Sequence, residues 1–178
     1  IAHEKLENLS GMLKLSDLRQ EIDLFCRNEE NYRGALQQAL NLLLYTRARR
    51  DFINPEISIR NLESTPQLHH IIPKKWWVKN YTETGLELDE ANKWKDSIAN
   101  LIPLSAGTNK RWGELSPATA FKDLEIGKKS KQIEMLRQYF VDEKAQKLLE
   151  NGIKSIPDFL NYRSKLIADT FKLLIELR

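Results

Sequence analysis

Apolar residues recur at helical spacing in the first and last thirds of the chain and lose that rhythm in the middle. Leu36, Ala39, Leu40, Leu43 and Leu44 fall on one face of a helix. That segment closes in Thr46-Arg47-Ala48-Arg49-Arg50, a basic turn suited to the negative end of a helix dipole. Residues 1 to about 50 therefore read as helices. Pro55 and Pro66 then break the chain, with Glu56-Ile57-Ser58-Ile59 as a short strand candidate. Helical spacing returns late, in one stripe of Ile133, Leu136 and Phe140. A longer stripe follows, of Ile156, Phe159, Leu160, Ile167, Phe171 and Leu174, entered through Ser155 and Pro157.

The stretch from about 67 to 126 has a different texture. It holds Trp76, Trp77, Trp94 and Trp112, which are all the tryptophans of the chain. Two short apolar runs, Leu68–Ile72 and Leu101–Leu104, read as strands, and Pro73 and Pro103 confine them to a small edge hairpin. Ser105 is placed to cap a short helix ending near Gly113, and Ser116-Pro117 opens the next. The expected fold is α+β and mostly helical, a small hairpin-plus-helix unit between two helical lobes. Its boundaries read as an N-terminal lobe over 1–62, a central unit over 63–127 and a C-terminal lobe over 128–178.

Composition narrows the class. With 41% hydrophobic and 30% charged residues the chain is globular rather than disordered. No apolar run approaches the ~20 residues of a membrane span. The single cysteine, Cys26, excludes an internal disulfide framework and a Cys-cluster zinc site, fits a cytoplasmic setting, and reads as a small buried hydrophobe. A net charge of +3 permits nucleic-acid binding without requiring it. The start at Ile1, with no signal-like segment, reads as an internal start within a longer protein.

Chemistry concentrates in His69-His70-Ile71-Ile72-Pro73, Asn100-Leu101-Ile102-Pro103-Leu104 and Thr108-Asn109-Lys110-Arg111. Side chains alternate along a strand, so adjacent histidines point in different directions, one toward an ion and the other toward a substrate water. An imidazole with an ordinary pKa of ~6.5 can take a proton from that water at neutral pH. Asn109 on the following helix can add a metal ligand, and Asn100 can tie the strand ends through backbone hydrogen bonds. Lys110 and Arg111 then suit the neighbouring phosphates. Lys74, Lys75 and Lys79 read as a solvated helix face, with DNA contact as the alternative. Arg47, Arg49 and Arg50 stand between helix-end chemistry and DNA contact. The tryptophans read as core or interface rather than base-stacking platforms.

At these residues the chain resembles the HNH, or ββα-metal, nucleases. The resemblance assigns His69 to the first metal ligand, His70 to the general base, Asn100 to the central asparagine and Asn109 to the second ligand. The stretch Asp96-Ser97-Ile98-Ala99-Asn100 through Asn109-Lys110-Arg111 is also similar to the HNH domain of RNA-guided CRISPR effectors. A closer resemblance is to the HNH domain that ends GmrSD-like restriction proteins, in the HHI-x-P motif, the Asn-Leu-x-Pro-Leu-Ser strand and the Asn and Arg beyond it. Looser matches are Ala48-Arg49-Arg50-Asp51 before the motif and Phe159-Leu160-Asn161-Tyr162-Arg163 in the closing helix.

The resemblance implies a metal-dependent endonuclease that nicks or cleaves double-stranded DNA, the effector of a restriction or anti-phage system. It also implies an N-terminal nucleotide-hydrolysing sensor as partner. The cofactor implied is a divalent ion, Mg²⁺ or Mn²⁺, and the neutral pair His69 and Asn109 admits Ni²⁺ or Zn²⁺ by ligand type. Lys110 and Arg111 are the expected nucleic-acid contacts, joined by Lys74 and Lys75 if the helix face they read as also meets DNA. The thirty positions between His70 and Asn100 imply an insertion over 76–95, either a substrate-side flap or a decoration of the core. The alternative function is a catalytically weak or inactive DNA-binding or interaction module on the same scaffold.

Overall fold

A computed structural model describes residues 15–27, 34–54, 56–59, 67–123 and 130–176. In chain order the helices are α1 (Leu15–Arg27), α2 (Ala35–Arg47), α3 (Lys74–Asn80), α4 (Leu88–Lys95), α5 (Ala106–Trp112), α6 (Pro117–Asp123), α7 (Ser130–Gln138), α8 (Glu143–Glu150) and α9 (Ile156–Glu176). Strands β1 (Gln67–His70) and β2 (Leu101–Leu104) pair antiparallel, with His69 opposite Ile102 and His70 opposite Leu101. The mostly helical α+β class is therefore what the chain adopts, with a two-stranded sheet among the described residues.

The caps act where the sequence places them. Ser105 accepts a hydrogen bond from the Thr108 amide at 3.1 Å and starts α5. Ser116 accepts from the Thr119 amide at 3.1 Å and starts α6, with Pro117 in its first turn. β1 is shorter than the apolar run that predicts it, because Asn100 captures both backbone groups of Ile72 and ends the ladder at His70. The insertion forms α3, a 3₁₀ turn over Tyr81–Thr84, and α4, with Gly85 at φ 82° reversing the chain between them. Trp77 and Trp94 are buried in the main core, so the insertion packs on that core through its tryptophans.

Two apolar clusters support the hairpin. The larger draws Phe52, Ile71, Trp77, Ile102, Trp112, Leu136 and Phe159 from all three sequence regions. Within it Phe52 meets Trp112 at 5.4 Å and Tyr139 edge-on at 4.9 Å, a geometry that adds ~0.5–1.5 kcal/mol per pair beyond burial. The smaller cluster joins α1, α2 and α9 through Ile22, Cys26, Leu40, Leu43, Leu44, Ile167 and Phe171, and reaches Ile98 and Leu101 at the start of β2.

Several expectations are corrected. Leu174 is 48% exposed, because the inner face of α9 continues from Ile167 through Phe171 to Ile175 at four-residue steps. Phe140 does not continue the helix of Leu136. It lies past the end of α7 in the left-handed region (φ 58°), a turn that moves its ring into the smaller cluster. The strand expected over Glu56–Ile59 is a single bridge between Arg50 and Ser58, since the Asp51 carboxylate gathers the amides of Ile53 and Asn54 into a turn. Pro55, Pro66, Lys128, Lys129, the side chains of Ser130, Lys131 and Ile133, and the lobe boundaries at 62/63 and 127/128 lie outside the described residues.

Candidate active site at the strand end

Strand alternation sends the paired histidines to different environments. His69 is 8% exposed, with its ring 5.5 Å from that of Trp112 at the end of α5. Burial lowers its pKa from 6.5 to about 4, and the neighbouring Asn109 side chain only partly offsets this. The imidazole is thus neutral at physiological pH, the form that binds metals. Its Nε2 is buried without a hydrogen-bond partner. An orphaned ligand atom beside an amide side chain fits a divalent ion as donor set. Among the described residues no group of three or more His, Cys, Asp and Glu is placed to hold a metal, so the candidate ligands are the imidazole and the amide.

His70 turns the other way and stays partly exposed. Its Nε2 lies 3.4 Å from an Asp96 carboxylate oxygen. Burial and the nearby Lys74 ammonium lower its pKa, against the opposing pull of Asp96. Asp96 is crowded in turn. Burial alone would raise its pKa, but the hydrogen bond from Lys74 and the charges of Lys74, Lys95 and His70 hold it below the ordinary carboxylate range.

Asn100 is fully buried at the corner between the strands. Its Oδ1 accepts from the Ile72 amide at 2.8 Å, and its Nδ2 donates to the carbonyls of Ile72 (3.1 Å) and Lys95 (2.8 Å). All its side-chain polar atoms are engaged, so it ties the strand ends as the sequence predicts. Asn109 projects from the middle of α5, donates from Nδ2 to Gln67 Oε1 at 2.7 Å, and reaches His69 with its side chain. Lys110 and Arg111 are exposed in the last turn of α5. Lys74 and Lys75 are exposed on α3 but not idle, since Lys74 pairs with Asp96 and Lys75 with Glu114.

Two buried charges hold this corner and went without a role in the sequence reading. Asp51 is completely buried and accepts from Ser105 N at 3.1 Å and from the Thr108 hydroxyl, fixing the start of the helix that carries Asn109. Arg163 is also completely buried. It donates to the carbonyls of Ala99 (2.6 Å), Leu101 (2.8 Å), Ile98 (3.3 Å) and Tyr139 (3.1 Å), clamping the turn around Asn100. Burial lowers its pKa to about 9, which leaves the guanidinium charged at neutral pH.

A family model for the C-terminal domain of GmrSD restriction endonucleases matches residues 18–151. The chain belongs to this family. The match spans His69, His70, Asn100 and Asn109 together with Asp51 and Asp96, and stops before Arg163. This GmrSD C-terminal domain is accordingly a nuclease domain of the restriction type. No curated protein and no solved structure matches the chain. Among the described residues, no helix of the GmrSD domain is long and apolar enough to cross a membrane.

Proposed function

We propose that this domain is a metal-dependent HNH-type endonuclease that nicks DNA by phosphodiester hydrolysis. The observation that carries the reading is the division of labour between adjacent histidines. One ring is turned inward beside Asn109 with an unpartnered nitrogen, and the other is turned outward against Asp96. His70 is the general base. With its Nε2 proton directed at Asp96, Nδ1 is left to take a proton from the attacking water. Its lowered pKa keeps it unprotonated at neutral pH.

His69 and Asn109 would hold the divalent ion, which when bound supplies positive charge to a phosphate oxygen and the leaving 3′ oxygen. Asn100 keeps the strand ends in register, and Lys110 and Arg111 take flanking phosphates. The products are a 5′-phosphate and a 3′-hydroxyl. An imidazole and an amide favour Mn²⁺, Ni²⁺ or Zn²⁺ over Mg²⁺ by ligand type. Cytoplasmic action as the effector of a restriction or anti-phage system, beside a nucleotide-hydrolysing sensor, completes the proposal.

The test is nicking of supercoiled plasmid across Mg²⁺, Mn²⁺ and Ni²⁺. His70→Ala is expected to abolish cleavage with fold and DNA affinity retained, and Asn109→Ala to raise the metal concentration needed. Equal nicking by wild type and His70→Ala would remove the assigned base. The neutrality of both candidate ligands favours one second reading, an inactive DNA-binding module. Salt-sensitive DNA binding with no turnover under any of these ions would select it.

A further inference from the structure

Helices α3 and α4 enclose a groove around Lys74 and Lys75, the two α3 lysines expected to meet nucleic acid. Lys74, Lys75, Val78, Lys79 and Lys95 line this open depression of about 340 Å³. Val78 is 64% exposed and gives it an apolar wall, extended by the methylene stems of the lysines. Four ammonium groups thus surround an apolar surface. Their carboxylate neighbours are at the edges, where Asp96 takes Lys74 and, at 3.5 Å, Lys95, and Glu114 takes Lys75 at 2.5 Å and sits in the field of Lys79. The Lys75–Glu114 pair is exposed and exchanges readily for another anion.

The groove opens beside the proposed base. Lys74 and Lys95 both pair with Asp96, whose carboxylate lies 3.4 Å from His70 Nε2. Four cations around one apolar wall complement a deoxyribose-phosphate strand, whose phosphates lie beside less polar sugars. An acidic protein segment would match the charge equally, and the shared Asp96 that joins Lys74 and Lys95 to His70 is what favours the DNA strand.

We infer that the α3–α4 groove seats the sugar-phosphate backbone of the DNA strand next to the bond that is cut, with Lys79 and Lys75 contacting phosphates. This rests on the endonuclease reading for its substrate, and it adds to the expected contact at Lys75 a second one at Lys79 and a path for the strand between α3 and α4.

The experiment measures binding of a fluorescein-labelled 20-base-pair duplex to the full chain in EDTA, as a function of KCl, so that turnover plays no part. Lys75→Ala with Lys79→Ala is compared with Lys144→Ala with Lys165→Ala, two exposed lysines on α8 and α9. The groove variant is expected to bind about tenfold or more weakly at 0.1 M salt and to lose about one unit of log–log salt slope per phosphate contact. Lys79→Arg should restore the wild-type slope. Equal losses in the two double variants, or no loss in the groove variant, overturn the inference. A wild-type chain that binds no DNA overturns it as well. Loss of binding in the groove variant alongside a wild type that never nicks keeps the groove and removes the nuclease reading. Normal nicking by wild type with undiminished binding by the groove variant removes the groove alone.

Discussion

His69 and His70 differ by one position and by which way the strand turns them. The inward ring sits against Trp112 and is pushed down to a pKa of about 4 by burial. An unfolded histidine titrates near 6.5, so the unfolded chain takes up the proton first. The stability from keeping His69 neutral is complete above pH 6.5 and drains away as pH falls toward 4. The full difference is about 3 kcal/mol. In EDTA, urea unfolding of wild type and His69→Gln should therefore diverge across that window, with wild type losing more. Parallel curves would contradict the buried neutral ring.

At the scale of elements, the hairpin and α5 form one rigid corner because two side chains from elsewhere hold it. Asn100 closes the strand ends through three hydrogen bonds, and Asp51 fixes the first turn of α5. Removing the Asp51 carboxylate leaves buried donors of Ser105 and Thr108 unmet, at about 1–3 kcal/mol per group. Asp51→Ala should lower the unfolding free energy by about 2–4 kcal/mol, and nicking by the folded fraction should also fall because Asn109 loses its fixed origin. A stable Asp51→Ala domain with full activity would show that α5 positions itself. The strands, both helix caps and the tie at Asn100 were legible because each rests on local signals: a proline, a serine before a helix, an amide at a strand end. The hold of Asp51 on α5 was not, since those two partners lie 54 and 57 positions away and no local pattern announces that distance. Phe140 was misread for the opposite reason, because helical spacing persists for two residues after the helix has ended.

Across the whole molecule, the two apolar clusters meet at the turn that begins β2. Ile98 and Leu101 enter the smaller one while Ala99 and Ile102 enter the larger. Arg163 reaches this seam from α9 and satisfies the carbonyls of Ile98, Ala99 and Leu101. The C-terminal helix thereby holds the corner of the candidate site through backbone carbonyls alone. A trace of this was present in the sequence, since Arg163 falls between Leu160 and Ile167 on an otherwise apolar helix face. A charge in a buried stripe demands partners, and here they are backbone carbonyls. The account as a whole stands on the inward histidine and the α5 amide sharing an ion. Anomalous diffraction from crystals of the chain grown with Mn²⁺ and a short duplex tests that directly. One manganese peak about 2.0–2.3 Å from a His69 nitrogen and Asn109 Oδ1, with His70 left unligated, is the predicted result. A peak on His70, or on carboxylates remote from the hairpin, would contradict it.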